Sequence, residues 1–134
     1  MQYLLDTDTC SFIMRQSSTT LMQRFDGIPG DAVAMSVITQ GELSAGLARK
    51  PLAMQLRARF TQLNSAIPTL DLPAEAAAHY ASIRSHLENK GLMIGANDLW
   101  IASHALAADM TLVTNNVREF KRVPKLKVEN WLEA

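Results

Sequence analysis

The 134-residue sequence has little cysteine, no net charge and no long hydrophobic run, and each absence excludes a class of protein. One cysteine, Cys10, cannot form an internal disulfide, which fits a reducing compartment. No apolar run approaches the roughly 18 residues that a membrane-spanning helix needs. The N-terminus lacks the basic segment of a signal peptide. We therefore predict no membrane association and a cytoplasmic location.

Two residue types that often carry chemistry offer little here. We expect Cys10 to be a small buried residue rather than a nucleophile, since no partner is obviously placed to activate it. The three histidines, His79, His86 and His104, lack the spacing of metal ligands, and we expect them to be structural or exposed.

Charge is balanced overall but unevenly distributed. Thirteen basic and thirteen acidic side chains give a formal net charge of zero, so the chain lacks the overall positive charge of a protein that binds nucleic acid in bulk. Five cations nevertheless fall within ten residues, opposed only by Glu119: Arg118, Lys121, Arg122, Lys125 and Lys127. This basic cluster is either a solvated surface turn or a rim that contacts phosphates.

Short apolar runs alternate with helical patterns along the chain, without an internal repeat or a linker. The alternation predicts a single α/β domain over residues 1–134, with helices on both faces of a central parallel sheet of four to five strands. Pro68 places its strand at a sheet edge. The predicted strands are 2–5, 32–35, 66–70, 110–114 and 126–128. The predicted helices are 7–14, 20–25, 52–63, 73–89, 98–108, one from Ser36 or Thr39 to 48, and a helical turn at 116–120.

The first predicted strand ends in two carboxylates, Asp6 and Asp8, separated by Thr7. Ligands of open α/β sheets bind just beyond the carboxyl ends of the strands, so Asp6 is placed for chemistry. Asp6 or Thr7 also fits the cap of the helix that follows.

Two further acids occur on predicted helices beside apolar side chains. Glu42 lies in or beside an apolar stripe, where a lone carboxylate needs a partner or a metal ion, although a capping box with Thr39 is an alternative. Asp98 lies on the core face of its helix, in the first turn, where the helix dipole favours acids. Asn97 is a candidate cap for that helix. An Asp in this position points toward the same sheet end as Asp6.

Asn116 and Glu119 follow the fourth predicted strand, and their spacing fits a capping box. They too lie at a strand's carboxyl end, so Asp6, Glu42 and Asp98 meet them at one sheet edge. Like charges do not crowd in a low dielectric without a counter-charge, and oxygen ligands without histidine select Mg²⁺ or Mn²⁺. Such an ion activates water for attack on a phosphodiester. We therefore predict metal-dependent phosphoryl hydrolysis.

Four motifs occur in order along the chain: LDTD at 5–8, SVITQGEL at 36–43, IGANDLWIASHA at 94–105 and VTNNVREF at 113–120. Together they resemble the motifs of PIN-domain ribonucleases, specifically the VapC toxins of bacterial VapBC toxin–antitoxin systems. The likeness covers the whole chain. It implies an α/β/α sandwich and a Mg²⁺- or Mn²⁺-dependent endoribonuclease activity that halts translation.

The resemblance assigns roles to the acids at the sheet edge. It implies that Asp6, Glu42 and Asp98 are catalytic and hold the metal ion. The family's fourth position is often Asp, but here it is Asn116, with Glu119 three residues later. The fourth ligand is therefore either Asn116, through its amide oxygen or a water, or Glu119, which would supply the missing charge.

The resemblance also implies accessory residues and partners. Thr7 and Thr114 match hydroxyl positions that orient ligands or water, and Asp8, commonly Asn in the family, either adds to the site or only caps the first helix. The family further implies a VapB-type antitoxin, a toxin homodimer and an RNA substrate, here tRNA cut in the anticodon region, initiator tRNA included. Phosphate contacts are expected from the cations nearest the acids: Arg118, Lys121 and Arg122.

Two alternatives compete with this interpretation. A PIN-like scaffold that only binds RNA or a partner would have lost acids, and Asn116 hints at such a loss. A haloacid-dehalogenase-type phosphatase would use Asp6 and Asp8 as its nucleophile and acid, but the segment after Thr114 lacks the later acidic pair of that fold.

Overall fold

Five strands form one parallel sheet in the computed structural model, which describes residues 1–133. They are β1 (Tyr3–Leu5), β2 (Val33–Ser36), β3 (Thr69–Leu70), β4 (Thr111–Val113) and β5 (Val128–Glu129). Their order across the sheet is β3-β2-β1-β4-β5, and every pair is parallel. The predicted α/β fold is confirmed, and β1 lies at the centre of the sheet.

Helices connect these strands and cover both faces of the sheet. Each connection between parallel strands must cross back over the sheet, which a helix does. The helices of the described range are α1 (Thr7–Arg15), α2 (Thr19–Asp26), α3 (Val37–Ala48), α4 (Met54–Ala66), α5 (Ala76–Lys90), α6 (Ala96–Ala107) and α7 (Val117–Phe120), with a 3₁₀ turn at Gly30–Ala32.

Adjacent residues of β1 point to opposite faces and so divide the core in two. Leu4 packs with the buried side chains of α5 and α6, whereas Leu5 packs with those of α1, α2 and α4. Both leucines are fully buried, so truncating either to Ala costs roughly 2–5 kcal/mol of unfolding free energy. This packing fixes the strand that ends at Asp6.

The third and fifth strands are shorter or shifted relative to the prediction. The edge position of β3 is confirmed, but residue 66 ends α4, and only Thr69 and Leu70 pair with β2. Pro68 contributes its carbonyl, which accepts a hydrogen bond from the Met35 N–H at 3.0 Å. The register of β5, with Leu112 opposite Val128, starts that strand two residues later than predicted.

Three predicted helix starts are also wrong, the first being that of α4, which begins at Met54 rather than at residue 52. Pro73 does not begin α5, because the chain makes a turn there, with the Ala76 N–H donating to the Pro73 carbonyl at 3.0 Å. The helix predicted from Asp98 begins at Ala96, with Gly95 as its N-terminal cap, so Asn97 is not the cap.

Cys10 and His104 are both buried in the core. Cys10 is thus the small buried residue that the sequence predicts. Within residues 1–133, no helix has the length and apolarity that crossing a membrane requires.

Candidate active site

The carboxyl ends of β1, β2 and β4 bring three helix starts to one edge of the sheet. Asp6, directly after β1, donates its N–H to the Val113 carbonyl of β4 at 3.0 Å. Ser36 ends β2 and caps α3, while Thr114 follows β4. The polar residues that follow these strands therefore lie close together, as the parallel topology requires.

Asp6 is the most buried acid of this edge, with 3% of its surface exposed. Its Oδ1 accepts the Thr9 N–H at 2.8 Å and so caps α1. Burial raises the pKa of Asp6 to about 6, while the Thr114 hydroxyl and the Thr9 amide oppose that rise. Asp6 is thus both a helix cap and a poorly solvated carboxylate that a cation would stabilise.

Glu42 is half-buried on α3 and is bound by a residue of α1. The Thr7 hydroxyl donates to Glu42 Oε1 at 2.6 Å, and the buried Thr39 hydroxyl lies 3.2 Å from that of Thr7. Ser36, rather than Thr39, caps α3 with its hydroxyl. The alternative capping box of Thr39 and Glu42 is therefore wrong, and Glu42 is oriented toward α1.

Asp98 lies in the first turn of α6 and is half-buried. Its pKa is raised to about 7, first by burial, then by the negative charge of Glu119 and a hydrogen bond with it. Asp6 and Glu42 raise it further through their charges. The charges of Glu119, Asp6 and Glu42 thus all act on Asp98, so the four acids form one electrostatic site.

Glu119 links α7 to the start of α6. Its Oε1 accepts the Gly95 N–H at 3.2 Å, and its Oε2 accepts a hydrogen bond from the Asn116 side-chain amide. The Asn116 side chain makes no capping bond to the backbone, so the alternative capping box of Asn116 and Glu119 is wrong. Asn116 instead orients the Glu119 carboxylate beside Asp98.

The donor chemistry of this edge fits a hard divalent cation. The candidate donors are carboxylate, amide and hydroxyl oxygens, the types that Mg²⁺ and Mn²⁺ prefer. In the part of the chain that the structure describes, the ion pairs involve other acids, and none of Asp6, Glu42, Asp98 or Glu119 belongs to one.

The acids at this edge are not gathered into one tight cluster in the described residues. Among residues 1–133, no three acidic, histidine or cysteine side chains converge closely enough to hold one ion together. Burial is the first cause of the raised pKa values of Asp6 and Asp98, and the negative charges of neighbouring acids add to it. The assignment of the metal ligands therefore stays a prediction.

The other predicted site residues lie around the four acids. Asp8 is exposed on the first turn of α1, where it complements the helix dipole, and does not share the burial of Asp6. Thr114 is buried, and its hydroxyl accepts the Asn116 N–H at 2.9 Å. Of the basic side chains, Arg118 and Lys121 are exposed.

Arg122 is partly engaged in the fold. Its Nη1 donates to the Met93 carbonyl at 3.2 Å, so it fastens the loop that leads to Gly95 and Asp98. One role of this cation is therefore to support the start of α6.

Sequence reasoning missed contacts that depend on residues far apart in the chain. The buried ring of His104 on α6 lies 2.8 Å from the hydroxyl of Ser36, 68 residues away. The Gly95 amide that binds Glu119 was also missed, since backbone donors leave no pattern in the sequence. The cap of α1 is the one contact with a local signal in the sequence. Asp6 accepts the N–H of Thr9, three residues later, which is the spacing of a helix cap.

Comparison with known proteins gives a consistent family assignment. Residues 3–126 match the model of the PIN domain family. The chain is 37% identical over 132 residues to ribonuclease VapC2 of Rickettsia felis, covering 98% of both chains. It is 35% identical, again with 98% of both chains covered, to the tRNA(fMet)-specific endonuclease VapC of Salmonella typhimurium.

Two solved structures share the fold over nearly their full length. The chain superposes with a TM-score of 0.90 on VapBC2 from Rickettsia felis bound to a promoter DNA fragment, with 36% identity and 98% and 99% of the two chains covered. It superposes equally well, at 0.90 with 33% identity and 98% of both chains covered, on DNA-bound VapBC from Salmonella typhimurium.

Proposed function

This chain belongs to the PIN-domain family and, within it, to the VapC ribonucleases, and on that premise we propose that it is the toxin of a VapBC-type module. Its activity is endonucleolytic cleavage of RNA, dependent on Mg²⁺ or Mn²⁺ held at the carboxyl edge of the sheet. The consequence for the cell is inhibited translation, and the site of action is the cytoplasm.

One observation supports the metal-dependent mechanism most strongly. The pKa values of Asp6 and Asp98 are raised to about 6 and about 7 by burial and by neighbouring acids. A positive charge bound at this edge would stabilise both carboxylates in their ionised form at neutral pH. The residues that would hold Mg²⁺ or Mn²⁺ are Asp6, Asp98 and Glu42, with Asn116 or Glu119 as the fourth ligand.

The surrounding residues hold the acids in orientation. Thr7 fixes the Glu42 carboxylate, and the Thr9 amide fixes one oxygen of Asp6. Asn116 and the Gly95 amide hold Glu119, whose negative charge raises the pKa of Asp98. A bound divalent ion supplies charge for the phosphate and lowers the pKa of a coordinated water.

The substrate that we propose is tRNA, with initiator tRNA as the first candidate. The relative from Salmonella typhimurium is a tRNA(fMet)-specific endonuclease. A chain without net charge, but with exposed Arg118 and Lys121 beside the acids, suits recognition of one folded RNA better than bulk binding. The single-stranded bases of a tRNA loop are the kind of target that proteins read in RNA.

The partner that we propose is a VapB-type antitoxin. The superposable structures from Rickettsia felis and Salmonella typhimurium are both VapBC structures. An antitoxin tail that places a cation among the four acids would neutralise them and exclude RNA. Homodimerisation of the toxin stays a prediction.

The competing functions are less well supported. Membership of the PIN-domain family argues against the phosphatase alternative. The geometry agrees, because Asp6 and Asp8, the pair that such an enzyme would use, differ in environment: Asp6 is buried and Asp8 is exposed. The catalytically weak scaffold remains testable. Asp6, Glu42, Asp98 and Glu119 are all present in this chain, so the site predicts an active enzyme.

The proposal is tested by incubating the purified chain with tRNA(fMet) and Mg²⁺ and sequencing the RNA ends. Discrete cleavage that stops in EDTA and in Asp98→Asn supports it. Binding of tRNA without cleavage, in either Mg²⁺ or Mn²⁺, would favour the scaffold.

A further inference from the structure

A groove between α1 and α3 starts at the acids and leads away from the sheet edge. It has a volume of about 240 Å³, and the helix α4 contributes Leu56 to its far side. Thr7, Asp8 and Glu42 line the end nearest the acids. The groove is therefore continuous with the candidate active site, on the β2 side of the acids.

The charges in this groove are segregated by the direction of the two helices. Both α1 and α3 begin at the carboxyl edge of a parallel sheet and run away from it. Asp8 lies in the first turn of α1 and Glu42 in the second turn of α3. Arg15, Arg49 and Lys50, which line the other end of the groove, lie in the last turn of α1, at the C-terminal cap of α3 and directly after that cap. At 1.5 Å per residue, Arg49 lies about 10 Å along α3 from Glu42.

These three cations hold the helices together less than the arginines of α4 do, and Arg15 donates along its own helix, to the Ser11 hydroxyl at 3.2 Å. Arg57 and Arg59 of α4 donate to the carbonyls of Leu47 and Met14, at 2.6 and 3.2 Å, and so hold α4 against α3 and α1. Over residues 1–133, by contrast, no ion pair includes Arg15, Arg49 or Lys50.

The helix dipole explains part of this arrangement but not all of it. Cations at the C-terminus of a helix are stabilising, which accounts for Arg49 beside the end of α3 and for Arg15 in the last turn of α1. It does not account for two separate helix ends turning their cations into one groove that leads to the acids.

We propose that this groove binds the RNA backbone next to the bond that is cut, with Arg49, Lys50 and Arg15 contacting phosphates of the same strand. This inference rests on the proposed ribonuclease function. Arg118 and Lys121, on and directly after α7, follow β4, whereas the groove lies on the β2 side. The substrate strand thus crosses the acids between two cationic surfaces, one on the β2 side and one on the β4 side of the sheet edge.

The test compares two double variants with the same change of charge. Arg49→Gln/Lys50→Gln removes two groove cations, both exposed. Lys125→Gln/Lys127→Gln removes two exposed cations before the amino end of β5, at the opposite edge of the sheet. Both are measured for tRNA(fMet) binding in Mg²⁺, in the cleavage-inactive Asp98→Asn background, over a range of salt.

The groove variant is expected to raise Kd several-fold and to reduce the slope of log K against log salt by about 1.4, for two lost single-strand phosphate contacts. The opposite-edge variant should change neither quantity. Charge-preserving Arg49→Lys/Lys50→Arg should retain the wild-type slope. In the otherwise wild-type protein, the groove variant should raise KM with little change in kcat.

Equal Kd values for the two double variants would overturn the groove assignment while leaving the ribonuclease function intact, provided that wild type cleaves the RNA. Unchanged RNA binding combined with weaker retention of a co-expressed antitoxin would assign the groove to the protein partner and would also overturn it. Absence of cleavage by wild type would instead overturn the proposed function itself.

Discussion

The hydroxyl of Ser36 and the ring of His104 form a buried hydrogen bond of 2.8 Å that connects the two helices carrying Glu42 and Asp98. Burial lowers the pKa of His104, so the ring is neutral at physiological pH. Ser36 Oγ also accepts the Ile38 N–H at 3.2 Å, in addition to its hydrogen bond with the Nδ1 atom of His104. One serine therefore caps α3 and fastens it to α6.

Replacing Ser36 by Ala should lower the unfolding free energy by about 1–3 kcal/mol, because it removes a helix cap and leaves a buried ring nitrogen without its partner. Chemical denaturation measures the change. Ser44→Ala on the same helix is the matched control, since Ser44 is exposed and contacts only Gln40, at 3.5 Å. Equal stabilities of the two variants would show that the Ser36–His104 bond contributes little.

Asp6→Asn should reduce RNA cleavage at least about 100-fold, since even residues that only orient metal ligands cost 10- to 100-fold when removed. Asp8→Asn, two residues away, is the control. It should lose much less activity than Asp6→Asn, because Asp8 is exposed at the end of the groove whereas Asp6 is buried at the end of β1. The initial rates of tRNA cleavage measure both. A larger loss in Asp8→Asn than in Asp6→Asn would reverse the roles of the two acids.

The stability of the metal-free protein should fall as the pH rises from about 5 to about 8. Asp6 and Asp98 have raised pKa values in the folded state, of about 6 and about 7, so the folded protein binds more protons than the unfolded chain in this window. Unfolding free energy then decreases with pH. Thermal melting in EDTA measures it, and a flat or rising Tm would contradict the crowding of acids.

Asp98→Asn should make the metal-free protein more stable at pH 8, by about 1–2 kcal/mol after allowance for its partial exposure to solvent. It should also flatten the pH dependence, because it removes the charge that Glu119 repels. Asp31→Asn, an exposed acid in the 3₁₀ turn, provides the comparison. Mg²⁺ should raise the Tm of wild type more than that of Asp98→Asn.

Glu119→Gln should lower cleavage activity more than Glu129→Gln does. Glu119 faces Asp98 and is held by Gly95 and Asn116, whereas Glu129 accepts from Trp131 at 3.1 Å and pairs with Arg24 at 3.6 Å. Cleavage rates under identical Mg²⁺ concentrations compare the two variants. Equal activity would remove Glu119 from the site and leave Asn116 as the candidate fourth ligand.

The features that the sequence predicted are those that local patterns encode. The apolar run that ends at Asp6 and the first-turn position of Asp98 follow from strand and helix periodicity, and the structure has both. The two capping boxes were wrong because Glu42 and Glu119 bond to other segments, at Thr7 and Gly95. Tertiary contacts decide whether a carboxylate caps its own helix or bonds to a distant segment, and a local sequence pattern does not contain those contacts.

Long-range pairs were the least predictable part of the site. The Ser36–His104 bond joins residues 68 positions apart, and neither residue lies in a pattern that indicates the other. The groove between α1 and α3 was equally unpredictable from the sequence. Arg15 and Arg49 line it together only because the two helices pack against each other. The basic cluster at 118–127 was visible because its members are adjacent in the chain.

The most direct test of the central claim is the Mg²⁺-dependent cleavage of tRNA(fMet) by the purified chain, compared with Asp98→Asn prepared in the same way. If the four acids form the active site, wild type yields one or a few defined RNA ends in Mg²⁺, and none appear in EDTA or with Asp98→Asn. Identical cleavage by wild type and a folded Asp98→Asn protein would contradict the assignment of the active site.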